Sequence, residues 1–139
     1  MRKTISSNVL IAGDASGKAL VLEEALSFWG GFDPIKGEII DVHHPQYQAL
    51  VGEKILFIPE SRGSAGTPAG IAETLRNGSG PRAFVLASRD VNISVGVLIA
   101  NQLYDMKTAV LEISLEQMKV IKPDSDISID EAGNLSFDV

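Results

Sequence analysis

Arg62, Gly63 and Ser64, followed by Ala65 and Gly66, put a forked cation and an alcohol into one glycine-flanked turn. The turn stands between the apolar run Ile55-Leu56-Phe57-Ile58 and the pair Thr67-Pro68, which suits the N-cap and first position of a helix. Glycine lets a backbone approach a ligand closely, and the free N–H groups and dipole of a helix N-terminus favour an anion. Arg62 can hold a carboxylate or phosphate through two parallel hydrogen bonds. Ser64, close to those amides, is an alcohol whose ionised form is stabilised, so it can move a proton in an elimination. Such turns also precede helices for backbone geometry alone, and that structural reading stands beside the chemical one. Nucleotide binding is disfavoured, because neither Gly-Lys-Ser/Thr nor the Gly-x-Gly-x-x-Gly spacing occurs in the turn.

A second candidate is the aromatic loop Ser27-Phe28-Trp29-Gly30-Gly31-Phe32, closed by Asp33-Pro34. It can cover a ligand, pack on a partner, or bury its rings in the domain's own core. His43 and His44, which precede Pro45, are the two histidines. Neighbouring residues on extended backbone point to opposite faces, so one metal would rarely take both, and a surface turn is the expectation. Asp33 and Asp41 read as solvated or turn-capping groups. No Ser-His-Asp order and no paired carboxylates would sustain a self-contained hydrolase. A hydrolase using Ser64 would need His43 or His44 as its base.

Positioning these residues requires an α/β framework. Residues 9–12 and 19–22 read as strands separated by the turn-forming Gly13-Asp14-Ala15-Ser16-Gly17, and residues 38–42 as another strand. Residues 54–59 and 83–87 are continuous apolar strands of the kind buried on both faces. Between them a helix starts at Thr67-Pro68, carries Ile71, Ala72 and Leu75 at helical spacing, and stops at Asn77-Gly78-Ser79-Gly80-Pro81. Asp90 or Asn92 caps a second helix carrying Val95, Leu98, Ile99, Leu103 and Tyr104, and residues 108–113 return as a strand. The tail, residues 126–130 and 135–139 around Glu131-Ala132-Gly133-Asn134, reads as a β-hairpin. A β-rich start, an α/β middle and a hairpin end predict a closed or curled β/β/α core with helices on one side.

The 139 residues fit one domain, 1–139, and 45% hydrophobic residues supply an ample core. A net charge of −6 without a basic stripe argues against nucleic acid as a partner. Without cysteine the chain makes no disulfide and offers no thiolate to zinc or an iron–sulfur cluster. No apolar run approaches the roughly 20 residues of a membrane span, and the N-terminus lacks a secretory h-region, so a cytoplasmic location is expected.

The motifs also combine. Gly17-Lys18-Ala19-Leu20-Val21, Leu26-Ser27-Phe28-Trp29-Gly30-Gly31-Phe32-Asp33-Pro34, Arg62-Gly63-Ser64 and Asn77-Gly78-x-x-Pro81 stand in an order and spacing that resemble the small subunit of aconitase X, from about residue 8 to about residue 111. The resemblance implies a swivelling β/β/α domain, like the mobile domain of aconitase, working with a large subunit. That subunit would hold iron or an iron–sulfur cluster through its cysteines, polarising the substrate hydroxyl for loss as water; none is bound by this chain. The Arg-Gly-Ser serine resembles the proton-abstracting serine of aconitase, which implies Ser64 as the base and Arg62 and Gly63 as shapers of the substrate site. Two substrates follow from the family, cis-3-hydroxy-L-proline and mevalonate 5-phosphate. Archaeal small subunits resemble Arg-Gly-Ser-Thr-Val-Gly-Ser at this turn, whereas Arg62-Gly63-Ser64-Ala65-Gly66 has no second serine, which favours the amino acid. A non-catalytic binding module with the same fold is the reading from another class.

Overall fold

The computed structural model describes residues 1–28, 30–60 and 66–138. In chain order the elements are β1 (Arg2–Ser6), β2 (Asn8–Ile11), β3 (Ala15–Val21), the short pair β4 (Phe32–Asp33) and β5 (Glu38–Ile39), β6 (Ile55–Ile58), α1 (Thr67–Arg76), β7 (Ala83–Leu86), α2 (Val91–Tyr104), β8 (Ala109–Glu112), the single-turn α3 (Leu115–Met118), β9 (Asp126–Ile129) and β10 (Asn134–Asp138).

Period-two alternation in the fully apolar strands decides the layering. In β6, Ile55 and Phe57 enter one core while Leu56 and Ile58 enter another. Ala83 and Val85 of β7 follow the first pair; Phe84 and Leu86 follow the second. One core lies between two β layers and includes Ile127, Ile129, Leu135 and Phe137 from the tail hairpin. The other lies beneath the helices, with Ile71 and Leu75 of α1 and Ile93, Val97 and Ala100 of α2. The expected β/β/α order is therefore present, with the two long helices over one layer and the single-turn α3 adding Met118 to the core between the β layers.

The strand order of the main sheet is β1-β10-β9-β3-β6-β7-β8-β2. The β6–β7 and β7–β8 pairs, joined through α1 and α2, are parallel, as is β3–β6, whose connection carries β4 and β5; β3–β9 is antiparallel. β3 changes partner along its length: residues 15–18 pair with β9 and residues 19–21 with β6. Residues 2–11 behave likewise, β1 pairing with β10 and β2 with β8. These two long segments fold the sheet onto itself. It curls but does not close, because β1 and β2 lie end to end on one stretch of chain, joined through Ser7, and form no ladder with each other.

Two local expectations are corrected, and two elements gain detail. Residues 15–17 are strand rather than turn, because β9 supplies partners for them. β1 has a single buried residue, Ile5, and so shows no apolar alternation in the sequence. The strand expected over 38–42 ends at Ile39. The apolar residues read on the second helix, Val95, Leu98, Ile99, Leu103 and Tyr104, face outward, while Ile93, Gly96, Val97 and Ala100 face the core.

Candidate functional site

Because β6, β7 and β8 run parallel, the segments that leave their carboxyl ends share one edge of the sheet, the edge where ligands bind in open α/β sheets. From β6 the chain passes through residues 59–66 into α1; from β7 it passes through Ala87, Ser88 and Arg89 into α2. A cleft of about 440 Å³ opens at the opposite end, beside Ser16, Arg82 and Lys107. Its walls are the amino ends of the same strands, so the carboxyl edge is the candidate site.

The two helix N-termini on that edge differ. Asp90 closes the N-terminus of α2: its carboxylate accepts from the amides of Asn92 at 2.8 Å and Ile93 at 3.3 Å. α1 starts from Gly66, which has no side chain to cap with, and its first turn contains no acidic residue. Of the two, only α1 presents a positive helix end without a carboxylate at its N-cap. Its bounds fall within a residue of the Thr67-Pro68 expectation, with Pro68 in the first turn. The residues expected to bear the chemistry, Arg62, Gly63 and Ser64, lie outside the described residues.

The aromatic loop comes against α1. The Phe28 ring is buried, 5.3 Å from the Phe32 ring, which is tilted to it, and 6.2 Å from that of Phe84 in β7, which it meets edge-on. Burial in the domain's own core is thus the outcome for Phe28 and Phe32, while Trp29 lies outside the described residues. Gly30, at φ +99°, is exposed with open space around its Cα. Gly31 is buried, and its carbonyl accepts from the amides of Ile40 and Asp41. A cleft of about 360 Å³ separates Phe28, Gly30, Phe32 and Pro34 on the loop from Ala69, Gly70 and Glu73 on α1. Glu73 is paired with Arg76, whose hydrogen bond holds its carboxyl below the usual range. The candidate loop and the helix that follows the Arg-Gly-Ser turn are thereby brought together.

The histidines part company. His43 is exposed, whereas His44 is buried at 5% exposure, a correction to the expected surface turn. The His44 Nδ1 accepts from the Gln46 amide at 3.0 Å, which leaves Nε2 to donate to the Glu24 carbonyl at 3.2 Å. Gln46 adds a bond from the Glu23 amide, so this pair staples the segment after β3 to the 41–48 turns. His44 therefore has no nitrogen available as a base. Asp33 and Asp41 cap turns, accepting from the amides of Ile35 and His43 respectively. Among the described residues no three His, Asp or Glu side chains gather as a metal site. None of their helices is long and apolar enough to cross a membrane.

A layered β/β/α domain, with a loop and a helix N-terminus on one edge of its sheet, is the class that this fold defines. Residues 4–137 match the family model of the aconitase X swivel domain, and the chain belongs to that family. A cis-3-hydroxy-L-proline dehydratase of Pseudomonas aeruginosa is 37% identical over 72% of this chain, which corresponds to 17% of that protein. The chain thus spans less than a fifth of the length of the hydroxyproline dehydratases it matches. The phosphomevalonate dehydratase small subunit of Methanothermobacter thermautotrophicus is 30% identical over 88% of this chain and 94% of its own length. Aconitase X of Thermococcus kodakaraensis, in a crystal structure of its holo-form, superposes with a TM-score of 0.84, covering 99% of both chains at 21% identity, which establishes likeness of fold.

Proposed function

We propose that this chain is a single-domain small subunit of an aconitase X-type hydro-lyase and that Ser64 is its proton-abstracting base. The observation that carries the reading is the N-terminus of α1 at the carboxyl edge, which starts from Gly66 with no side chain at its cap position, two residues after Ser64 and beside the 27–31 loop. Ionised Ser64 Oγ, held by amides at that helix end, takes a proton from the carbon next to the substrate carboxylate. The electron pair forms the C=C bond as the hydroxyl departs from the neighbouring carbon as hydroxide, and the proton passed on by the Ser64 hydroxyl completes the water and restores the ionised serine. Arg62 binds the carboxylate, and Gly63 lets the backbone come close. The 27–31 loop borders the same site and limits water.

An iron centre does not fit on this chain, which has no cysteine and, among the described residues, no three-ligand cluster. We assign that group to the large subunit. The setting is cytoplasmic.

The first substrate is cis-3-hydroxy-L-proline, favoured by the lack of a second serine in Arg62-Gly63-Ser64-Ala65-Gly66. Mevalonate 5-phosphate is the second, favoured by the phosphomevalonate dehydratase small subunit that is 30% identical over 88% of this chain. Co-expression with the large subunit of the same organism, anaerobic purification and assay of water loss from both compounds tests the reading. Activity of the pair alone, on one compound, is expected. A pair that forms but turns over neither compound would leave a binding module of the same fold.

A further inference from the structure

We infer that the outward face of α2 is a docking surface for the large subunit, an inference that rests on the reading just given. Val91, Val95, Leu98, Ile99 and Leu103 fall at i, i+4, i+7, i+8 and i+12, one stripe opposite the buried face of Ile93, Gly96, Val97 and Ala100. The stripe is open: Val91 is 68% exposed, Leu98 54% and Leu103 67%. A surface helix ordinarily carries charge on its outer side, yet the 14 residues of α2 contain none, in a chain with 12 basic and 18 acidic residues. A helix apolar on both faces is one covered on both faces.

The size of the patch decides the occupant. A helix face about 20 Å long and 10 Å across offers on the order of 200 Å², far below the roughly 800 Å² per partner of a stable interface. By itself it would not hold two copies of this chain together. It suits one portion of a larger contact that continues from Val91, next to Asp90 at the carboxyl edge, across the rim of the candidate site. A large subunit closing over that site would cover both. In the hydroxyproline dehydratases the matched segment is less than a fifth of the chain, so most of the protein lies outside it. The complementary surface is aliphatic and free of carboxylates, since these side chains offer a buried acid no partner.

The test compares the wild-type chain with Leu98→Glu and with Leu103→Glu, each titrated into the large subunit, with circular dichroism and the melting midpoint as controls for folding. Both positions are outward on the helix and glutamate is a good helix former. We expect folding unchanged and Kd for the large subunit raised about 100-fold or more. Variants that bind within twofold of wild type would overturn the α2 assignment while leaving the dehydratase reading intact. A wild-type chain that dimerises through this face, shown by light scattering and abolished by Leu98→Glu, with large-subunit binding unaffected, would also overturn it. Failure of the wild-type chain to bind the large subunit at all would overturn both.

Discussion

The carbonyl oxygen of Phe28 occupies the space that a side chain on Gly70 would need: a Cβ built there would lie 2.4 Å from it. The glycine is what allows the aromatic loop to rest on α1. Replacing glycine by alanine inside a helix ordinarily stabilises by about 1 kcal/mol. Here the obstacle is backbone, which cannot swing aside as the end of a side chain can, and overpacking costs about 1–3 kcal/mol. Gly70→Ala is therefore expected to lower stability in urea unfolding and to reduce turnover of the assembled enzyme by displacing residues 27–31. A variant as stable as wild type and fully active would show that the loop does not depend on this contact.

Phe28 anchors the same loop from the other side, buried between Phe32 and Phe84. Phe28→Ala removes a core aromatic and should cost about 3–5 kcal/mol. Phe28→Leu retains most of the volume and should cost less than half of that, a ratio readable from two urea titrations. Equal, small losses would place the ring outside the core.

The contrast between the two helix N-termini yields a third expectation. Asp90 satisfies two amides of α2, so Asp90→Ala should destabilise by about 1 kcal/mol, while Asp90→Asn, which can still cap, should recover most of it. Thermal unfolding of the three proteins distinguishes capping from a merely tolerated acid.

Much of this was legible because local chemistry and tertiary context agree. Asp90 before an apolar helix, Asn77-Gly78 after one, and Gly133 at φ +86° in the tail hairpin are residues whose preferred conformations are the ones adopted. What escaped the sequence depends on distant partners. β1 has a single inward residue, Ile5, and exists because β10 pairs along it from Arg2↔Asp138 to Ser6↔Asn134. Residues 15–17 resemble a turn until β9 pairs with them. In α2 apolar residues occur on both faces, so periodicity cannot say which is the core; Gly96 decides it, since a Cβ there would lie 2.7 Å from Ile71 Cβ and only glycine lets α1 approach. His44 looked like its neighbour His43, and only the 20-residue reach to Glu24 buries it.

Acid should act through Glu112 at the end of β8. The amide of Asn8 at 3.0 Å, and then the Arg89 guanidinium at 3.1 Å, hold its carboxyl below the usual value of 4.5. A carboxylate depressed in the folded state stabilises fully above its unfolded value and loses that contribution as pH falls through the folded one. The group is partly open to solvent, so the effect is modest. Arg89→Met should therefore unfold at lower temperature than wild type near pH 7, and the gap should narrow as pH drops below 4.5. A gap independent of pH would assign Arg89 a packing role instead.

The sharpest expectations concern the Arg62-Gly63-Ser64 turn. If Ser64 Oγ takes the proton, Ser64→Ala should abolish turnover by the assembled enzyme while the variant folds and still binds the large subunit, because only one oxygen is removed. Hydrogen–deuterium exchange at the substrate carbon should vanish along with dehydration, since proton abstraction precedes or accompanies loss of water. Exchange that persists in the alanine variant would assign the base to another group even if dehydration were slow. Arg62→Lys separates binding from chemistry: an ammonium cannot reproduce the forked contact to a carboxylate, so KM should rise well beyond any fall in kcat. Unchanged kinetics in Arg62→Lys would make Arg62 a structural residue of the turn and leave carboxylate recognition to the large subunit.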